Sequence, residues 1–189
     1  IGGGLPFISP GKLKVEGDWS NGAFFLAANK LGSSIFIENL QNDSLQGDQH
    51  ITTFLENLKE PCIISAADTP DLIPVLSVVA ASKQGAVFTD IQRLCLKESD
   101  RVESIIAMIR NLGGHAESTD DTLTIRGTGL QGGIVDCMND HRIAMSAAIA
   151  ATVCQESVTL LGADCVSKSY PRFFEEYRRL GGKYEQYLR

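Results

Sequence analysis

Three short stretches of this chain concentrate side chains able to hold a small anion: KESDR (97–101), NDHR (139–142) and SKSYP (167–171). Arg101 and Arg142 offer planar forks suited to a carboxylate, and Lys168 a point charge suited to a phosphate. Lys97, Glu98, Asp140 and His141 stand beside them as groups that exchange protons or accept hydrogen bonds. All three stretches are expected at helix N-termini, where backbone N–H groups are free and the dipole favours negative charge. Arg142 is the sharpest case. A cation in the first turn of a helix opposes the dipole, so either it points to solvent or an anion sits there.

Each of these residues also has a plain structural reading. Asp100 and Glu103 fit a capping box. Asp18, Asp71 and Asp140 each precede an apolar run and fit N-caps. Glu98 fits an ion pair with neighbouring Lys97, His141 a satisfied core or surface histidine, and Lys97 and Arg101 solvated charges. Spacing alone does not separate Asp71 from Asp18 or Asp140.

The elements that must position these groups recur three times. GDWSNGAFFLAANKLG from Gly17, PDLIPVLSVVAASKQG from Pro70 and NDHRIAMSAAIAATVCQE from Asn139 read as first helices. Each leads into a β-type run (SSIFIENL, AVFTDIQRL, SVTLLGA), a polar loop and a second helix. The second helices carry apolar residues at i, i+3, i+4, i+7: Ile51, Phe54, Leu55 and Leu58; Val102, Ile105, Ile106 and Ile109; Tyr170, Phe173, Phe174 and Tyr177. Gly113-Gly114 and Gly181-Gly182 stop two of them. HAEST and TLTIRG predict strands around an Asp120-Asp121 turn, and KYEQYL a strand at the end. The junctions LKEPCIISAADT and LQGGIVDCM are left without an element of their own.

The pattern predicts an α/β (α+β) fold, a single pseudo-threefold domain over residues 1–189 with three helix-strand-helix-strand repeats at about 12–60, 61–126 and 127–189. A unit of ~55 residues would have a marginal core alone, which favours one shared core. The net charge of −6 argues against a general nucleic-acid binder but permits a local basic pocket. No apolar run approaches the ~20 residues that span a bilayer, and IGGGLPFISP lacks the charged start of a signal peptide. The five scattered cysteines predict reduced, mostly buried thiols of a cytoplasmic protein, and the three histidines lack zinc-site spacing. An initial Ile suggests a piece of something longer.

LKESDR, then NDHRIAM, then KSYPRFFE, together with VEGDWSNGAFFLAA, SLQGD and PDLIPVLSVVAA in the same order, resemble the 5-enolpyruvylshikimate-3-phosphate synthase family (3-phosphoshikimate 1-carboxyvinyltransferases) from about Lys14 to Leu180. The resemblance implies one half of an inside-out α/β barrel of two similar domains, the C-terminal one, without the N-terminal domain that supplies most shikimate contacts. It implies transfer of the enolpyruvyl group of phosphoenolpyruvate to the 5-hydroxyl of shikimate 3-phosphate, a step of chorismate and aromatic amino acid biosynthesis, and no turnover without the other half. By motif, Asp71 would face the target hydroxyl, Glu98 would protonate and deprotonate the methylene carbon, and Lys97 would lie between them. Arg101 and Arg142 would clamp the phosphoenolpyruvate carboxylate, Lys168 would reach its phosphate, and His141 would support Glu98. Arg93 stands where some members carry a polar residue at the shikimate phosphate. No metal or organic cofactor is implied. The competing readings are a non-catalytic binding or assembly domain that retains the fold, and a relative of UDP-N-acetylglucosamine enolpyruvyl transferase, which the KESDR and NDHRIAM pair fits poorly.

Overall fold

The computed structural model describes residues 3–4 and 8–187. In chain order it contains α1 (Trp19–Lys30), α2 (Ile51–Asn57), β1 (Cys62–Ser65), α3 (Ile73–Ser82), β2 (Ala86–Thr89), α4 (Arg101–Asn111), β3 (His115–Ser118), β4 (Thr122–Arg126), β5 (Gly133–Asp136), α5 (His141–Ala150), β6 (Val158–Leu161) and α6 (Phe173–Arg179). A 3₁₀ turn precedes each second helix, at Gly47–His50, Ile91–Leu96 and Ala163–Lys168.

The centre is made by the three first helices. They are apolar on nearly every side, as a helix surrounded by protein must be. Every residue of α5 is buried, and so is α3 from Ile73 to Ala81. Their many alanines and serines let α1, α3 and α5 pack against one another. The second helices cover this centre with one face each. The stripe on α4, Val102, Ile105, Ile106 and Ile109, is buried, as are Ile51, Leu55 and Leu58 of the first repeat and Phe173 of the third. At roughly 1.5–3 kcal/mol per large side chain, these stripes dock the outer helices. α4 and α6 stop at their glycine pairs: Gly113, at φ +83, donates to Arg110 O, and Gly181, at φ +102, to Arg178 O.

The sheets are short and mixed. One runs β1-β2-β4-β3, with β1 parallel to β2 and the β3–β4 hairpin antiparallel beside them; the other is the parallel pair β5-β6. The expected hairpin around Asp120-Asp121 is present. β1 and β5 lie in the two junctions that the sequence left unassigned, too short at four residues each to show alternation.

Two expected strands are absent among the described residues. Ser33–Leu40 runs extended but joins no ladder, because the Asn29 side chain takes both main-chain groups of Ile35, accepting from its N–H and donating to its carbonyl at 2.7 Å each. Residues 183–187 form no strand either. Arg178 instead lies over the Tyr184 ring, 4.1 Å from its centroid, and holds the tail against α6. The cysteines are all free, but only Cys137 and Cys165 are buried; Cys62 and Cys154 are half-buried and Cys95 is exposed, so "mostly buried" was too strong an expectation. Among the described residues no helix is long and apolar enough to cross a membrane.

Candidate functional site

The inner helices α3 and α5 begin at one end of the molecule, next to the start of α4, and their entry loops bring the charged stretches together. Asp71 sits just ahead of α3. It is not an N-cap, contrary to the structural reading of the recurring aspartates. Leu72 occupies the cap position without a side-chain bond, and Pro74 at the helix start needs none. The Asp71 carboxylate is therefore free to face outward. It accepts Nη1 of Arg101 at 2.5 Å, pairs with Lys97 Nζ at 3.1 Å, and lies 3.7 Å from Nη2 of Arg142.

Asp18 and Asp140 do cap their helices, accepting from Asn21 N and Arg142 N. Asp100 caps α4 through Val102 N and Glu103 N. Asp140 does more than the cap reading foresaw. A capping carboxylate has a second oxygen to spare. Oδ1 takes the Arg142 N–H at 2.8 Å, and Oδ2 accepts Nε of Arg101 at 2.8 Å and the Ser99 hydroxyl at 3.1 Å. The loop that places Asp140 is a tight turn from Cys137, whose carbonyl receives Asp140 N at 2.8 Å. Its two central residues, Met138 and Asn139, lie at φ +50 and +54, the signature of a type I′ turn and an uncommon backbone for a methionine.

Arg101 is the hub. Its side chain is only 1% exposed, so the solvated reading fails. Each of its nitrogens donates to a carboxylate: Nε to Asp140, Nη1 to Asp71 and Nη2 to Glu98. Glu98 thus pairs with Arg101 and Lys97 with Asp71, rather than the two neighbours with each other. Three cations and three carboxylates interlock, which is how a buried guanidinium is held at acceptable cost. The carboxylates are not equivalent. Asp140 is fully buried, whereas Asp71 and Glu98 are about one-third exposed. An incoming anion can replace the latter two on the guanidinium groups while Asp140 keeps its hold.

Arg142 answers the helix dipole within the protein. Its Nη1 donates to the Ser20 carbonyl at 3.1 Å, its Nη2 faces Asp71, and its guanidinium lies 5.9 Å from the Phe24 ring centroid. Its buried Nε has no partner. Lys168 sits at the end of the 3₁₀ turn Ala163–Lys168 rather than at a helix N-terminus as expected. It joins the site through the turn, donating to the Asn139 carbonyl.

His141 is beside Glu98 but not bonded to it. Nδ1 is 3.8 Å from Oε1, beyond hydrogen-bond reach, and is without a partner. Burial and the neighbouring Arg142 push the imidazole below its ordinary pKa. Arg93 does not enter the charged network; its Nη1 donates to the Ala67 carbonyl at 2.6 Å, bracing the loop that leads to Asp71. Among the described residues no His, Cys, Asp and Glu cluster is suited to a metal ion.

The electrostatics follow from this geometry. Burial works to raise the Asp71 pKa, but Arg142, Arg101 and Lys97 outweigh it and hold the carboxyl at about 2. Asp71 is therefore ionised and, while so clamped, a weak base. Loosening the cations from it would restore its basicity. The site also includes groups that charge patterning overlooked, the Ser20 carbonyl above all, because backbone acceptors leave no mark in composition.

The family profile described as "EPSP synthase (3-phosphoshikimate 1-carboxyvinyltransferase)" matches residues 56–177, about two-thirds of the chain. The chain belongs to this family. Curated relatives agree. The 3-phosphoshikimate 1-carboxyvinyltransferase of Clostridium acetobutylicum is 42% identical over 90% of this chain and 44% of its own length. That of Clostridioides difficile is 41% identical over 92% of this chain and 44% of its own. The EPSP synthase structure from Acinetobacter baumannii superposes with a TM-score of 0.65 at 22% identity, covering 89% of this chain and 47% of that one, which establishes the shared fold. The chain spans less than half the length of the curated relatives it matches. Asp71, Lys97, Glu98, Arg101, His141, Arg142 and Lys168, the residues the motifs single out, fall inside the matched span, as does Arg93, where the chain departs from the family pattern.

Proposed function

We propose that this chain is the phosphoenolpyruvate-holding, C-terminal half of a 3-phosphoshikimate 1-carboxyvinyltransferase, a cytoplasmic enzyme that needs its other half to turn over. The observation that carries this reading is the convergence of Arg101, Arg142 and Lys97 on the single carboxylate of Asp71. Cations gathered around an exchangeable carboxylate are prepared for another one.

In this reading the phosphoenolpyruvate carboxylate takes the places of Asp71 and Glu98 on the two arginines, and Lys168 meets its phosphate. Asp71, relieved of the two arginines, then accepts the proton of the shikimate 5-hydroxyl, with Lys97 alongside. The hydroxyl oxygen bonds to the enol carbon of phosphoenolpyruvate while Glu98 delivers a proton to the methylene carbon, giving a tetrahedral adduct. The adduct loses phosphate as Glu98 takes a proton back from the methyl group; the proton held by Asp71 passes to the released phosphate, and the enol ether is formed. His141, buried and 3.8 Å from Glu98, supports it. Arg93, which donates to the Ala67 carbonyl, would have to leave it to reach the shikimate phosphate.

Titration of the chain with phosphoenolpyruvate, followed by amide chemical shifts, tests the binding step. Shifts should cluster at 97–101, 139–142 and 168. Arg142→Lys loses the planar fork and should weaken binding by about 1.5–3 kcal/mol, the contribution of one charged hydrogen bond. Shifts elsewhere, or an unchanged affinity in Arg142→Lys, would remove the clamp.

A further inference from the structure

Gln46, Gly47 and Asp48 take no part in the chemistry above, yet their contacts converge on the first turn of α1. The Gln46 side chain closes over it twice, Nε2 donating to the Gly17 carbonyl and Oε1 accepting from Trp19 N, both at 2.9 Å. The Ser20 hydroxyl donates to the Asp48 carboxylate. The carbonyl of that same Ser20 is the acceptor for Arg142. Gly47 also abuts the loop leading to Asp71, since a Cβ there would stand 3.4 Å from the Asp68 carbonyl.

We propose that Asp48 is a positioning residue for Arg142: by gripping the Ser20 hydroxyl it fixes the carbonyl on which the guanidinium is seated. The proposal rests on the reading of Arg142 as an anion-binding group. Its weight comes from how few anchors Arg142 has. Nε is unpartnered, and Asp71 at 3.7 Å is an ion pair beyond hydrogen-bond length. An anion that displaces Asp71 leaves the Ser20 carbonyl as the hydrogen bond that keeps Arg142 in place. Asp48 also faces the site electrostatically. Burial raises its pKa, the Ser20 hydroxyl lowers it, Asp71 and Asp18 raise it and Arg142 lowers it. A carboxylate so placed helps to hold Arg142 without touching the ligand.

The test uses the 189-residue chain, phosphoenolpyruvate as probe, and two readouts. In the ligand-free chain the Arg142 Nε–H resonance should move in Asp48→Asn and Ser20→Ala, and stay in place in Asp43→Asn, a change at an exposed acid of the same loop. In titrations, Ser20→Ala, which removes the hydrogen bond, should weaken binding by about tenfold, and Asp48→Asn, which keeps an acceptor but removes its charge, should weaken it about threefold. Combining the two should cost little more than Ser20→Ala alone. Ser20→Thr, which keeps the hydroxyl, should restore affinity. In an Arg142→Met background, Asp48→Asn should no longer matter, which a merely structural role would not produce. An unmoved Arg142 resonance, or an Asp48→Asn effect that persists without Arg142, overturns the proposal. If the resonance moves but the unsubstituted chain binds no phosphoenolpyruvate, the positioning of Arg142 stands and the anion-binding reading falls.

Discussion

Asp140→Ala should destabilise the chain by about 3–5 kcal/mol, the range for removing one partner from a buried ion pair. The carboxylate is fully buried, and one side chain caps α5, accepts Ser99 and holds Nε of Arg101. Its loss leaves the guanidinium of a residue that is 1% exposed without its buried counter-charge. The helix cap accounts for only about 1 kcal/mol of the expected loss. Chemical denaturation of the variant checks this, and the double variant Asp140→Ala with Arg101→Met should recover part of the loss. A loss of only about 1 kcal/mol would mean that Asp140 is a cap and nothing more.

Asp71→Asn should lower turnover of the assembled enzyme by on the order of 10²–10⁴, the usual contribution of a positioned proton acceptor. It carries a second, independent signature in the acid range. The folded-state pKa of about 2 lies below the unfolded value near 3.9, so ionised Asp71 stabilises the fold above about pH 4. That contribution, about 2 kcal/mol, is lost as pH falls from about 4 to about 2. The unsubstituted chain should therefore lose stability across this window, and Asp71→Asn should lose correspondingly less. Parallel stability profiles for the two would mean that Lys97, Arg101 and Arg142 do not hold this carboxylate in solution.

How much of this could be read from the residues varies with the range of the interaction. The six helices were legible because each has a local signal. The i, i+3, i+4, i+7 stripe of Val102, Ile105, Ile106 and Ile109 marks α4, and the apolar run from Ile73, broken only by Ser77 before Ser82, marks α3. The hairpin of β3 and β4 was legible from its Asp-Asp turn. Of the strands whose partners lie far along the chain, β2 and β6 were legible in AVFTDIQRL and SVTLLGA, whereas β1 and β5 were not. Ser33–Leu40 has the composition of a strand but gives its main-chain bonds to Asn29, while CIIS and GIVD pair in parallel with segments more than twenty residues away.

The same division applies to the site. The charged stretches announced themselves, and the cations do gather. Which carboxylate each cation takes depends on tertiary geometry. Hence the expected Lys97–Glu98 pair gives way to Lys97–Asp71 and Glu98–Arg101, and His141 stands 3.8 Å from Glu98 without a hydrogen bond to it. Asp71 differs from Asp18 and Asp140 through one local feature, Pro74. It removes the need for a cap at that helix start and so frees the carboxylate.

The most direct test of the central claim, that this chain carries half of a shared active site, is phosphate release from phosphoenolpyruvate and shikimate 3-phosphate, measured with the chain alone and after mixing with the complementary half of a family member. The account predicts no release by either half alone and release on mixing, abolished by Asp71→Asn in this chain. Release by the chain on its own, or release on mixing that is indifferent to Asp71, would contradict it.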